Sequence, residues 1–524
     1  CRCMFILITV GILLLTAVAV LTLRIFLPAF RSSWLVACGG GILALVSVFA
    51  WSPDPSARLQ FSIWQPASLF TQSPAFITDG VAWAFALSIV SLALAIVITS
   101  IVRSSFPNPF TWSGIFVLSA LGILAVVADN PLTLVLIWAS LDLTELVIQL
   151  RFVEDPKLTE RVVISFASRV MGIVVLLWAN MVSAANGVNL DFQLASPQAG
   201  LYLLIAAGLR IGVLPLHLPY AGESTLRRGF GTALRMISAA SSLILLARIP
   251  PGSIALPFTP YLLLLVALAA VYGGWMWLRA PDELTGRPFW LIGVGSLAVA
   301  STLRENPIGA AAWGCALILC GGVLFLSSEP NKWLIRSLWI AVFGISSLPF
   351  SLSASGWNSG RESFFLAWLP LVVAQAMLLA GFIRHILRPS ASRGSYEDQP
   401  VWAKNVFPIG IFLLLGIIVL LGLFGWDGSL QFGNIFASLT ASLLTFGLVW
   451  FTPRLRILNP VRAHWVRPAN ITWLDWGYQA LWNLYRQMGR LSNVFTKILE
   501  GESGIMWTLL FLALFISFFV RGNP

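Results

Sequence analysis

Residues 80–102 read GVAWAFALSIVSLALAIVITSIV, twenty-three residues without a charge. An apolar run of about 20 residues spans the hydrocarbon core of a bilayer as a helix. Nothing in it alternates as a strand of a transmembrane barrel would. Outward from this stretch, similar runs recur from Met4 to Val520. Of the 524 residues, 58% are hydrophobic and 10% charged, where soluble domains carry about 25% charged residues. A water-soluble enzyme is excluded, and the fold class is that of an all-α polytopic membrane protein.

Breaks at charged or Pro/Gly-rich points predict about sixteen spans. They lie near 4–27, 34–51, 80–102, 112–128, 131–150, 161–184, 198–215, 229–249, 257–279, 288–303, 308–327, 333–352, 364–384, 405–425, 431–451 and 504–520. The first is too long to be the core of a cleaved signal. Of the 32 Lys and Arg, 23 fall in odd-numbered connections and five in even-numbered ones or the C-terminal tail. By the positive-inside rule, odd connections are cytoplasmic and both termini lie outside the cytoplasm. The net charge of +11 therefore reports loops rather than a nucleic-acid partner.

The connection 453–503 is unusual. Leu474, Leu481, Leu484, Tyr485, Met488, Leu491 and Phe495 recur at helical spacing between Arg486, Arg490 and Lys497, which predicts an amphipathic helix lying laterally along the interface. The alternative is a basic loop touching headgroups. A last span, within 504–524, follows.

Ionisable residues inside spans are expensive and usually functional. Asp142 and Glu145 in span five are three apart and share a helical face. Arg169, Arg210 and Arg235 fall in spans six, seven and eight. Mutual pairing inside the bundle is expected, either as a structural ion network or as part of a path. Spans nine to fifteen contain almost no deep charge. Proline marks a second irregularity. Span seven runs into Leu214-Pro215-Leu216-His217-Leu218-Pro219, and span twelve into Ser347-Leu348-Pro349. Proline breaks a helix, and two broken spans five apart predict two five-helix repeats, the second inverted. The chain then divides into 1–110 (three N-terminal spans), 111–250 (first repeat, spans 4–8), 251–390 (inverted repeat, spans 9–13), 391–452 (spans 14–15), the lateral helix 453–503, and 504–524.

Five cysteines without a CxxC pair and three histidines offer no metal constellation. No GxGxxG unit on a strand–helix pair and no phosphate loop is present, so no metal and no cofactor is expected. The 23 Trp are explained by interfacial belts.

These residues resemble the antiporter-like membrane subunits of respiratory complex I (NADH:quinone oxidoreductase) and of Mrp-type cation/proton antiporters. Asp79-Gly80 resembles the family's Asp-Gly before its third helix. Ala128-Asp129-Asn130 followed by Trp138 resembles its Ala-Asp-Asn…Trp-Glu fifth-helix pattern. Arg210-Ile211-Gly212-Val213-Leu214-Pro215-Leu216-His217 resembles its broken-helix Lys-x-x-x-x-Pro-x-His run, and Leu245-Leu246-Ala247-Arg248 the end of its eighth helix. The motifs cover about 79–248, the architecture nearly the whole chain. The departures are equally specific. Ala139 stands where the family has Glu, with Asp142 one turn on. Arg210 stands for the broken-helix Lys, and unlike Lys it does not deprotonate in proteins. The eighth- and eleventh-helix lysines fall near Ala240 and Gly321.

The resemblance implies a membrane subunit of a complex I-like or Mrp-like energy-converting assembly, moving protons (or cations against protons) through a degenerate path. Asp142, Glu145 and His217 would be its stations and Arg169, Arg210 and Arg235 would set its field. The alternatives are a transport-inactive scaffold subunit and, third, an independent transporter of a small anion. The partners implied are other membrane subunits and lipid, with no nucleic acid and no soluble cofactor. The location implied is a bacterial inner or plasma membrane.

Overall fold

The computed structural model describes residues 4–451, apart from 28–31, 52–56, 62–72, 103–108, 153–155, 188–189, 191, 193–194, 219–227, 255, 328–331, 359–364, 389–399 and 425, and beyond 451 only Asn483. The expected lateral helix, the last span and Pro219 lie outside the described residues.

The helices are α1 (Met4–Phe26), α2 (Ser33–Phe49), α3 (Gly80–Thr99), α4 (Pro109–Val126), α5 (Pro131–Phe152), α6 (Pro156–Ala185), α7 (Pro197–Ile211), α8 (Arg228–Arg248), α9 (Thr259–Arg279), α10 (Glu283–Leu303) and α11 (Pro307–Leu326). They continue with α12 (Lys332–Ser337), α13 (Trp339–Ile345), α14 (Phe365–Ile386), α15 (Val401–Phe424) and α16 (Phe432–Phe451). Each apolar run expected before residue 452 contains helix. Among the described residues eleven helices are long and apolar enough to cross a membrane, and Ser33–Phe49, Gln198–Ile211 and Trp333–Ile345 are shorter apolar helices. The chain is an integral, multi-pass membrane protein, and its described membrane-length segments are helices.

Local chemistry sets the starts. Proline at the first helical position, where its missing N–H loses nothing, opens α5, α6, α7 and α11. Side-chain caps precede several helices: Asp79 accepts from Ala82 N at 2.7 Å, Asn130 from Thr133 N at 2.9 Å, Ser196 from Ala199 N at 3.2 Å, Asp282 from Thr285 N at 2.7 Å and Asn306 from Gly309 N at 2.8 Å. Asp79 and Asn130 of the sequence motifs are thus helix caps. Asn130 Nδ2 also donates to Ser73 O at 2.8 Å, and Asp79 lies 3.4 Å from Arg248 Nη2. Gly80, next to Asp79, is simply the first residue of α3.

A short antiparallel hairpin, β1 (Ala57–Gln60) with β2 (Ala75–Thr78), was not foreseen in the sequence reading. Four-residue strands embedded among long apolar runs carry too little alternation to be seen. The hairpin closes over the α4–α5 turn, where Phe76 bridges Ala128 and Arg58 pairs with Asp129. Replacing Asp79 or Asn130 by alanine is expected to lower stability by about 1 kcal/mol each, the usual cap loss. Asn130→Asp should keep the cap on Thr133 N but lose the bond from Nδ2 to Ser73 O, and so recover only part of it. Thermal unfolding midpoints of the purified complex read both.

Helices α3, α8 and α11, and α10 from Gly286 onward, are enclosed nearly all round, and a helix buried on every face belongs at the centre of a bundle. The remaining helices pack around them, and α1, α2, α5, α6, α9, α15 and α16 each expose large apolar side chains on one face. Small residues allow close approach where lipid offers no hydrophobic drive. At the α9–α10 crossing, a Cβ on Gly273 would stand 2.6 Å from Gly293 N.

Candidate functional site: a buried ion network

Trp138, Asp142, Glu145 and Gln149 follow at helical spacing on one face of α5, and Arg235, Ser238 and Ser242 on one face of α8. Arg169 of α6 and Arg210 of α7 complete the set. Asp142 and Glu145 are fully buried, and Arg169, Arg210 and Arg235 are each 1% exposed.

Arg210 clasps Asp142 in the fork geometry that guanidinium and carboxylate share. Nη1 donates to Oδ2 at 2.6 Å and Nη2 to Oδ1 at 2.8 Å. Its Nε donates to Ser242 Oγ at 3.2 Å, and Nη1 also reaches the Arg169 carbonyl at 3.2 Å. The guanidinium carbon lies 4.2 Å from the Trp138 ring centroid, and the indole is pinned by its own bond from Nε1 to Ser241 O at 3.0 Å. Gly172 forms a bare patch under Arg210, where a Cβ would stand 2.6 Å from Arg210 Cγ.

Arg169 Nη1 pairs with Glu145 Oε2, lies 3.5 Å from Asp142 Oδ1 and donates to Ser238 Oγ at 3.2 Å. Arg235 Nη1 lies 3.6 Å from Glu145 Oε1, which also accepts from Gln149 Nε2 at 2.8 Å. Five charges from four helices therefore form one network of three guanidiniums and two carboxylates. The two carboxylates offset two of the three guanidinium charges, and charges are tolerable in a buried core only where they are paired in this way.

The structure brings together Asp142, Glu145, Arg169, Arg210, Arg235 and Trp138. It does not join His217 to them. His217 Nδ1 lies 2.8 Å from Pro215 O, beyond the point where α7 stops at Gly212 in the left-handed conformation (φ +81°). Pro215 sits in that non-helical exit. Asp129 and Asn130 are in the α4–α5 turn, away from the network. Sequence reasoning missed Gln149, Ser238, Ser242 and Gly172. The first three were legible as stripe positions on their helices, whereas the role of Gly172 is set by a neighbouring helix.

The second half differs. Arg287, placed in a connection by the sequence reading, lies inside α10 and is 1% exposed, with its guanidinium carbon 5.1 Å from the Phe325 ring. A proline five residues into a run does not end the helix when it falls in the first turns. Glu283 to Arg287 therefore continue α10 ahead of Pro288. The break before Pro349 is held by neutral groups. Gln375 Nε2 donates to Ile345 O at 3.0 Å and Ser347 Oγ at 3.2 Å, and its Oε1 accepts from Trp357 Nε1 at 2.7 Å. Ser353 Oγ donates to Gly344 O at 3.0 Å, and Asn434 Nδ2 to Ser347 O at 3.3 Å. Carbonyls freed at membrane depth need such partners. Ser347 (φ +58°) and Phe350 (φ +67°) bracket the proline in the left-handed region.

Ala240 is fully buried. Gly321 faces an aromatic cluster in which Trp277 stands 5.3 Å from Trp290 and 6.2 Å from Phe325. A Cβ on Gly321 would lie 2.6 Å from Trp290 Nε1. The indole fills the space a longer side chain at 321 would need. Among the described residues no group of three or more His, Cys, Asp or Glu could hold a metal.

The described residues thus form a multi-pass helical bundle with proline-broken segments and a charged core on four helices. The comparisons agree with that architecture. The chain is similar to a chain of the Mrp complex from Dietzia sp. DQ12-45-1b, with TM-score 0.68 and 15% identity over 99% of this chain; it spans 63% of that chain's length. It is also similar to a chain of the membrane-bound sulfane sulfur reductase, an archaeal respiratory membrane complex, with TM-score 0.63 and 13% identity, covering 97% of this chain and 100% of that one. A chain of respiratory complex I from Thermus thermophilus overlays with TM-score 0.58 and 19% identity, covering 79% and 98%. No protein-family model and no curated protein matches the sequence. At these identities the likeness is one of fold.

Proposed function

We propose that the chain is a membrane subunit of a multi-subunit energy-converting assembly of the complex I or Mrp kind, and that its charged core is a fixed ion network holding the subunit together. The fold supports the first half. The two-pronged grip of Arg210 on Asp142 carries the second. A proton crossing by way of Asp142 must protonate a carboxylate whose two oxygens are already engaged, beside a guanidinium that keeps its own proton. Glu145 is engaged on both oxygens as well. Further along, Ala240 and Gly321 carry no titratable group, and Trp290 occupies the space beside the latter.

In this reading the subunit has sixteen spans, with two inverted repeats over spans 4–8 and 9–13, the lateral helix over 453–503 and both termini outside the cytoplasm. Its partners are neighbouring membrane subunits and lipid, and its chemistry needs no cofactor of its own. Proton movement, where the assembly performs it, runs through other subunits.

The test is driven proton flux in proteoliposomes holding the intact native assembly. Asp142→Leu/Arg210→Met removes the central pair without leaving either charge behind, and is expected to leave flux unchanged. Flux that collapses while the assembly stays whole would assign a conducting path to α5 and overturn the scaffold reading.

A further inference from the structure

At the end of the bundle where α9 stops, α10 begins and α14 runs out, arginines gather at the membrane boundary. One carboxylate there is already taken: Arg228 Nη1 lies 2.6 Å from Glu283 Oε1. Arg384 Nη1 donates to the Leu278 carbonyl, which brings its guanidinium beside the Leu278–Arg279 peptide. Arg388, two residues past the end of α14, is exposed and close enough to repel Arg384. Among the described residues no carboxylate pairs with Arg279, Arg384 or Arg388.

Arg279 Nε is buried with no hydrogen-bond partner among the described residues. Its guanidinium carbon lies 5.3 Å from the ring of Trp275, itself 37% exposed. Leu278, next to Arg279 in the chain, belongs to a buried apolar cluster with Met377 and Ala380, against which the partly buried Val271, Val373, Leu448 and Val449 pack. Like charges beside an apolar face raise the energy of the fold unless an anion joins them. A partly exposed Trp beside arginines at the end of an apolar helix pair suits a ligand with a negative head and an apolar body.

We propose that this end of the α9–α14 pair binds the phosphate of an anionic phospholipid, held by Arg279, Arg384 and Arg388 beside Trp275. The site goes beyond the scaffold reading and does not depend on it, because lipid retention is measured without any driven flux.

The experiment uses the native complex with the full chain, stripped of lipid in detergent and supplied with phosphatidylglycerol, phosphatidylcholine or inorganic phosphate. Bound lipid is counted by native mass spectrometry. Wild type is expected to retain phosphatidylglycerol over phosphatidylcholine. Arg279→Gln/Arg384→Gln is expected to weaken that retention about 25-fold, at about fivefold per interfacial charge. If the double variant does not assemble, Arg388→Gln, at an exposed position, carries the test with about a fivefold loss. Equal retention of the two lipids, or of phosphatidylglycerol by wild type and variants, overturns the site. Displacement of the lipid by inorganic phosphate overturns the lipid assignment in favour of a soluble anion.

Discussion

Arg210→Ala is expected to remove the subunit from its assembly. The substitution leaves Asp142 at zero exposure with only Arg169, 3.5 Å away, to balance it. Removing one member of a buried ion pair costs about 3–5 kcal/mol, because the orphaned charge keeps its desolvation penalty. That is of the order of the whole stability of many domains. The loss also spreads, since Arg210 bonds the Arg169 carbonyl and Ser242 and stacks on Trp138. Arg210→Lys should recover little, because an ammonium cannot reproduce the two-pronged contact or the stacking. Asp142→Leu/Arg210→Met should cost far less than the single change, since a buried pair replaced by apolar groups is often nearly neutral. The fraction of subunit in intact complex and the thermal midpoint give both values. An Arg210→Ala complex as stable as wild type would mean that the network contributes nothing to folding.

The second large effect is expected at Gly321. Gly321→Lys restores the residue type that the resembled family carries near this position, and the structure cannot take it. The Cβ alone meets Trp290 Nε1 at 2.6 Å and Phe325 Cε2 at 3.2 Å. Overpacking a well-filled core costs about 1–3 kcal/mol. An ammonium in a span costs about 2.5–3.5 kcal/mol more on insertion scales. The order of variants separates the two terms. Gly321→Met should carry only the steric part, and Gly321→Met/Trp290→Ala should recover much of it by opening room. Gly321→Lys/Trp290→Ala should recover less, because the charge remains. A lysine accepted at 321 with an unchanged midpoint would show that Trp290 moves aside freely.

How far the site was legible follows from period and distance. Asp142 and Glu145, three apart on α5, and the three arginines were visible because a charge inside an apolar run has no other explanation than function or pairing. Gln149 and Ser238 were visible in principle, four residues after Glu145 and three after Arg235. Which arginine meets which carboxylate was not, because Arg210 and Asp142 are brought together across 68 positions by the packing of both α5 and α7 against α6. His217 shared the broken segment with Arg210 in sequence, but the exit from α7 turns it to its own backbone. Arg287 was misplaced because the apolar run begins at residue 288, whereas Asp282 caps the helix six residues before Pro288.

Composition and apolar run length alone determined that this chain is a helical multi-pass membrane protein, because a bilayer admits only helices and closed barrels, and uncharged runs of about 20 residues without alternation fit the helix. Cap residues and N-terminal prolines, also local, set most helix starts. Only the tertiary structure decided that α3, α8, α10 and α11 are the enclosed helices, that five charges form one clasped network, and that Trp290 fills the space beside Gly321. These depend on which faces meet, and between apolar helices that choice is made by close-packed shape and small residues rather than by any pattern within one helix.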